Sequence, residues 1–401
     1  MAERMVSLAE LVDEKQIEVG AGRPRSVDQE LPILRVADVL DGKIGSPDFS
    51  PPLEGYSRDH GPKVSRPGDI VLTVKGTVGR VALIPREGPL YAYSPQLCYF
   101  RPRVDGPLVA RYLYYWFRGA DFWIQANALK GQTDMADFIS LGDILSLKLR
   151  VPSRTQQEVV ADVLGALDDK IAVNGRIAST YEQLLQGKFA KLGLADEPCE
   201  GTSILVTDLV AFNPKTDKPA AVEPVYVDMA ALQVDRAGIP SWSRREPKSG
   251  SRFTNGDTLL ARITPCLENG KTGHVDFMAD GEIGIGSTEF IVIRSLPGVP
   301  SQLSYFLARD QRFREHAIRN MVGSSGRQRV SAAAVATYFV NEPDADALAS
   351  FGADAAAAFA HMKSLESESR TLAALRDTLL PQLMSGKLRV RDAERIVEDA
   401  V

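Results

Sequence analysis

This chain repeats itself. At a shift of roughly 190 to 200 residues, a period that suits a duplicated domain rather than a solenoid, short stretches return in the same order. Leu8-Ala9-Glu10-Leu11-Val12 comes back as Val206-Thr207-Asp208-Leu209-Val210. The strand-like run Pro32-Ile33-Leu34-Arg35-Val36 returns as Pro224-Val225-Tyr226-Val227-Asp228. Gly68-Asp69-Ile70-Val71-Leu72 returns as Gly256-Asp257-Thr258-Leu259-Leu260, each a turn dipeptide opening a β-rich run. Further on, Ser94-Pro95-Gln96 matches Ser287-Thr288-Glu289, and Gly131-Gln132-Thr133 matches Gly326-Arg327-Gln328. The spacing between these anchors drifts by a few residues, so the copies have diverged in their loops, where binding residues usually sit.

Each copy closes on a long amphipathic helix, at Leu185-Gln186-Gly187-Lys188 and at Met384-Ser385-Gly386-Lys387. Within 151–193, Val160, Leu164, Leu167, Ile171, Tyr181 and Leu185 fall on one stripe, and Pro152 blocks an earlier start. A helix of about 37 residues reaches on the order of 55 Å, too long to stand without a partner. Phe351, Ala355, Ala358, Met362, Leu365, Leu372, Leu375 and Leu379 repeat the spacing, which predicts an antiparallel coiled coil. Gly165, Gly175 and Gly187 each cost about 1 kcal/mol relative to Ala, and the alternative to one long helix is a set of shorter packed pieces divided at them. Asn174 on the stripe is the kind of single polar residue that sets register.

The resulting fold class is α+β: two mixed α/β domains joined by two long helices in an antiparallel coiled coil, with an internal pseudo-twofold duplication. The boundaries are 1–150 for the first domain, 151–195 for the central helix and 196–343 for the second domain. The second helix takes 344–390, and 391–401 form an acidic tail.

At 401 residues the chain exceeds what one core usually holds, in line with that division. No apolar run approaches ~18 residues and the start lacks an apolar signal region, which implies no membrane and a cytoplasmic protein. Cys98, Cys199 and Cys266 stand apart with no C-x-x-C pair, so neither a disulfide framework nor a zinc knuckle is indicated. His60, His274, His316 and His361 show no metal-binding spacing. Gly270-Lys271-Thr272 looks like the end of a P-loop, but Pro265 occupies the place of the required glycine. Gly284-Ile285-Gly286 fails as a dinucleotide fingerprint because Glu289 replaces the third glycine. Asn213-Pro214-Lys215 does not make the Asn-Pro-Pro-aromatic site of adenine methyltransferases. No catalytic residues, metal ligands or cofactor site are expected in this chain.

The net charge of −5 argues against a uniformly basic surface, yet the charges are segregated. Arg58, Lys63, Arg66, Lys75, Arg80 and Arg86 crowd one segment; Arg236, Arg244, Arg245, Lys248, Arg252 and Arg262 crowd another. A third holds Arg309, Arg312, Arg314, Arg319, Arg327 and Arg329, while acids gather along the second helix. Two similar units on a paired-helix spacer would read two places on one ligand, and with the basic clusters a duplex nucleic acid is the natural ligand. Loop Arg, Lys, Gln, Asn, Ser and Thr side chains suit base edges and phosphates. The candidates are Lys75, Thr77, Arg80, Gln96, Lys130, Gln132 and Thr133 in the first unit. The second offers Arg262, Asn269, Lys271, Ser324, Ser325, Arg327, Gln328 and Arg329. Leu164, Leu167, Ile171, Asn174, Tyr181, Leu185, Met362, Leu365, Leu372 and Leu379 are the candidates for the coiled coil and for partner docking.

Three stretches carry a family resemblance: PGDIVLTVKGTVGRVALIP at 67–85, VPSRTQQEVVADVLGALDDKI at 151–171 and LAALRDTLLPQLMSGKLRV at 372–390. Together they resemble the specificity subunit of type I restriction-modification enzymes, over essentially the whole chain. The resemblance implies two target-recognition domains, each reading half of a split double-stranded DNA site, with the coiled coil setting the spacing. It also implies two methyltransferase subunits and nuclease/translocase subunits as partners, with S-adenosylmethionine, ATP and Mg held by those partners. The alternatives are a catalytic DNA-modifying enzyme and a coiled-coil adaptor that does not touch DNA.

Overall fold

One fully buried β-strand seeds each copy. Ile70–Thr73 and Thr258–Ala261 are buried at every position, because alternate side chains point to opposite faces and both faces are covered. Ile70 and Leu72 enter a core shared with helices, while Val71 packs with Tyr93 and Tyr99 on the other side. Leu260 and Leu259 divide in the same way. The computed structural model of the protein describes residues 4–22, 32–40, 42–45, 64–129, 131–132, 137–246, 249–324, 326–388 and 390–398.

The sheet around the seed strand has one order in both copies. In the first it runs Ile17–Ala21, Leu97–Pro102, Ile70–Thr73, Val81–Leu83. In the second it runs Val210–Phe212, Phe290–Ser295, Thr258–Ala261, Thr272–His274. Every neighbouring pair is antiparallel. Two consecutive helices follow the long strand in each case, Ala110–Arg118 with Ala120–Leu129 and Leu303–Arg309 with Gln311–Arg319. Trp116 and Phe122 are buried there against Phe117.

The glycine-aspartate turn before the seed strand has a structural reason. Gly68 and Gly256 have φ values of +85° and +88°, a region that favours glycine. Asp69 accepts the Arg66 backbone N–H at 2.8 Å and both forks of Arg101, at 2.6 and 2.7 Å. Asp257 accepts the Thr254 N–H at 2.7 Å and both forks of Arg294, at 2.6 and 2.7 Å. Both carboxylates are buried, and the bidentate pair with an added backbone donor is what makes that burial tolerable.

Each globular part returns to its own start just before a long helix. Arg4–Ser7 pairs antiparallel with Lys148–Val151, and Ser203–Leu205 with Phe339–Asn341. The helices then run unbroken over Arg154–Lys191 and Ala345–Met384. Two of the three glycines in the first helix are seats for arginines. A Cβ at Gly165 would lie 2.6 Å from the Arg111 guanidinium, and one at Gly175 would lie 3.2 Å from that of Arg236. Arg111 uses its seat to reach the Gly165 carbonyl and Asp169.

The chain forms two units, Met1–Ile171 with Arg370–Val401, and Ala172–Ser369. The division falls inside both long helices, unlike the segment boundaries drawn from the sequence. In the first unit Arg376 donates to Asp168 at 2.6 Å, and Tyr115 donates to the same carboxylate at 2.7 Å. In the second, Asn174 donates to Glu368 at 2.6 Å, Tyr181 pairs with His361 at 3.1 Å, and Lys188 bridges to Asp354. In the second unit rising numbers on one helix meet falling numbers on the other, so the helices run antiparallel there.

The segment read as an acidic tail carries regular structure. Val390–Glu398 form a helix. Ala393 is buried in the first unit's core with Leu388 and Val397 packed beside it, and Ala393 and Val397, four residues apart, share one face of this charged helix.

Candidate nucleic-acid interface

In the first unit the candidate loop leaves the seed strand at Val74. Gly76 and Gly79 hold φ values of +88° and +93°, and a Cβ on Gly79 would lie 2.1 Å from the Trp123 ring. Backbone bonds tie this loop to two other candidate segments. Val74 N–H donates to the Gln96 carbonyl at 2.9 Å, and Gly76 N–H to the Asp137 carbonyl at 3.0 Å. Asp137–Phe138 pairs in turn with Gly131–Gln132. Lys75, Thr77 and Gln96 are exposed and Arg80 is half-exposed. Gln132 is placed by its backbone alone, and Lys130 and Thr133 lie outside the described residues.

The second unit builds the same junction with charged residues. Arg262 N–H donates to the Glu289 carbonyl, Val330 N–H to the Arg262 carbonyl, and Thr264 N–H to the Gln328 carbonyl, at 3.0 to 3.1 Å. Gln328 N–H donates to Thr264 Oγ1 at 3.1 Å. Arg262, Arg327, Gln328 and Arg329 are thus brought together around Glu289. Arg329 Nε lies 2.9 Å from both Glu289 carboxylate oxygens, and Nη2 lies 2.8 Å from Oε1. The Arg329 hydrogen bonds, assisted by the nearby Arg262 charge, hold the Glu289 carboxyl below the usual carboxylate range. Arg262 Nε is buried with no hydrogen-bond partner. Arg327 and Ser324 are exposed, and Ser325 lies outside the described residues.

Several sequence candidates are placed differently from expectation. Asn269 is exposed on the turn at 265–271, but Lys271 on the same turn directs its Nζ to the Met229 carbonyl at 2.9 Å. Four of the six arginines in the third cluster are tied to other parts of the chain or to their own helix. Arg309 and Arg312 donate to the carbonyls of Val234 and Asp196, Arg314 to that of Glu268, and Arg319 to Glu315. In the second cluster Arg244 pairs with Glu282 and Arg245 lies 3.6 Å over the Tyr226 ring. Arg252 donates to the Thr216 carbonyl, while Lys248, like Arg58 and Lys63 of the first cluster, lies outside the described residues. Arg252, Arg309, Arg312 and Arg314 cap carbonyls because loops leave acceptors unpaired, and a guanidinium reaches them without burying its whole charge.

The stripe residues are used up by the chain's own packing. Leu164, Leu167, Leu372, Leu379, Leu185, Leu365 and Asn174 are buried, and Ile171, Tyr181 and Met362 are half-buried.

Sequence reasoning missed Glu289 as a site residue. The signal was present, since Glu289 stands where Gln96 stands in the first copy. The three cysteines are free. Among the described residues no group of three or more His, Cys, Asp or Glu could hold a metal ion, and no helix is long and apolar enough to cross a membrane.

No family model matches the chain. Over 146 residues it is 29% identical to the specificity subunit of the type I restriction enzyme EcoAI of Escherichia coli, covering 34% of this chain and 24% of that protein. Over 150 residues it is 31% identical to the corresponding subunit of EcoEI, also from Escherichia coli, covering 35% and 24%. The match thus spans about a quarter of each curated relative. The crystal structure of a type I restriction-modification S subunit from M. genitalium aligns over 96% of both chains, with 14% identity and a TM-score of 0.49. The curated relatives bear out the resemblance drawn from the sequence: this chain is similar to type I specificity subunits.

Proposed function

We propose that this chain is the DNA-specificity subunit of a type I restriction-modification complex. Each unit binds one half of a bipartite double-stranded site, the helix pair acts as a coiled-coil spacer, and the two copies are related by a pseudo-twofold. The chain is non-catalytic and cytoplasmic. Two methyltransferase subunits dock on the outward helix faces, and nuclease/translocase subunits join them. S-adenosylmethionine, ATP and Mg belong to those partners.

The observation that carries this reading is the recurrence, at one place in both copies, of a polar loop junction on a rigid base. Lys75, Thr77 and Gln96 present one set of side chains; Arg262, Arg327, Gln328 and Arg329 present another. Equal frames with unequal loops suit two readers of different base sequences.

The test exchanges residues 1–150 for the equivalent unit of a relative and maps the sites methylated in cells. One half of the recognised site should change and the other should persist. A hybrid that alters both halves would overturn the reading. The purified chain should not modify DNA by itself when given S-adenosylmethionine; modification would identify it as the enzyme. Failure to bind any duplex, even with the methyltransferase present, would leave an adaptor between proteins.

A further inference from the structure

The junction in the second unit contains an arginine whose guanidinium is already half committed. Arg329 has five N–H donors. Its Nε and one Nη2 hydrogen face Glu289, and Nη1 donates to the Arg327 carbonyl at 3.3 Å. One N–H remains on each terminal nitrogen. A planar guanidinium gripped along its Nε–Nη2 edge keeps its Nη1–Nη2 edge for a second acceptor pair.

The support on both sides is rigid. Arg329 exchanges both backbone bonds with Val322 at 2.9 Å, and Glu289 is anchored by its own N–H to Ser287 Oγ at 3.1 Å and by its carbonyl to Arg262. A side chain with this many rotamers ordinarily loses freedom on binding, and here much of that ordering precedes the ligand. The side chain keeps 40% of its surface exposed, enough for that second contact.

The chemistry favours a base over a phosphate. With Glu289 attached, the pair itself is neutral, so a phosphate at this fork would draw its attraction from Arg262 and Arg327 rather than from Arg329, and would meet a carboxylate beside it. The O6 and N7 atoms of guanine form a neutral acceptor pair with the spacing of an arginine fork. Arg327, exposed and without a side-chain partner among the described residues, has the uncompensated charge that a phosphate requires. In the first unit Gln96 stands at the Glu289 position and Phe138 bridges Lys75 as Arg329 bridges Ile263, a pairing that differs from the sequence match of 131–133 with 326–328; Gln96 and Phe138 cannot make this arrangement.

Resting on the reading above, we propose that Arg329 recognises a guanine in the major groove of the half-site bound by the second unit, with Glu289 as the residue that positions it. Selection from a pool of randomised duplexes by the full chain, bound to its methyltransferase subunits, tests this. The wild type should show a guanine at a position where Arg329→Ala loses about tenfold to a hundredfold in discrimination. Arg329→Lys keeps the charge without the fork and should relax the same position, which guards against an alanine variant that does not fold. Glu289→Gln should lower discrimination there while raising binding to unrelated sequences, because a repelling charge has gone. Arg327→Ala should weaken all sequences alike and reduce the salt dependence. A purely structural clip predicts lower thermal stability with base preference unchanged at every position, and that result in Arg329→Lys overturns the inference alone. A wild-type complex that selects no sequence removes the parent reading together with it.

Discussion

Removing one matched heptad from the helix pair tests whether its length sets the separation of the two half-sites. Asn174 faces Glu368 and Tyr181 faces His361, so residues 174–180 lie opposite 362–368. Deleting both takes out Asn174 together with Leu365 and Glu368. It leaves the Asp168 pair with Arg376 and the Tyr181 pair with His361 as the flanking contacts. Seven residues at ~1.5 Å each shorten the helices by ~10 Å, and the stripe drifts only about 20°. On DNA rising ~3.4 Å per pair, the preferred spacer should contract by about three base pairs. Those pairs also carry about 100° of rotation, which twist or bending must absorb. The deletion costs the bond from Lys363 to the Asp276 carbonyl, so circular dichroism and thermal unfolding should first establish a folded protein. Binding is then measured on duplexes whose spacer is shortened one pair at a time. A folded double deletion that still prefers the original spacer refutes the ruler.

Three further outcomes follow from buried groups. Asp257→Asn leaves Arg294 without its carboxylate and should cost about 3 kcal/mol in urea unfolding, with Asp69→Asn behaving alike in the first unit; a loss below about 1 kcal/mol in both would dismiss the clamp. His274 is wholly buried, its Nδ1 has no hydrogen-bond partner, and burial pushes its pKa down to about 4. Because that lies below the unfolded value of ~6.5, stability is complete above ~6.5 and falls by roughly 3 kcal/mol as the pH drops to about 4. Unfolding measured across that window should lose this slope in His274→Phe. Asn174→Leu should raise stability by about 1 kcal/mol, since the buried amide leaves Oδ1 without a partner and the Glu368 carboxylate can turn to water; a drop in the thermal midpoint would count against this.

The sequence made the frame legible and the site only in part. Helix stripes and the repeated glycine-aspartate turns are local patterns, so their elements could be placed from spacing alone. Whether Gly165 and Gly175 break the first helix could not be read locally, because the arginines that occupy their seats lie 54 and 61 residues away, at 111 and 236. The loop arginines posed the same difficulty on a larger scale. Arg309, Arg312 and Arg314 look like a basic patch in one dimension, yet their charges are directed at carbonyls brought in by other loops. Arg329 was identified, but its partner Glu289 was not, since a carboxylate carries no obvious DNA-reading chemistry until its distance to the arginine is known. The short apolar spacing of Ala393 and Val397 within the last helix is easily lost among its charges.

The division of the long helices has a consequence for synthesis. The second unit is one continuous stretch, Ala172–Ser369, whereas the first takes residues from both sides of it. As the chain leaves the ribosome, the second unit has all its parts first. The earlier globular part must wait for Leu372, Leu379, Leu380 and Leu383 before the apolar stripe at Leu164 and Leu167 is covered. During that interval a nascent chain exposes a sticky helix face. A message truncated shortly before residue 370 would make a product whose later-made unit is whole and whose earlier-made unit is not.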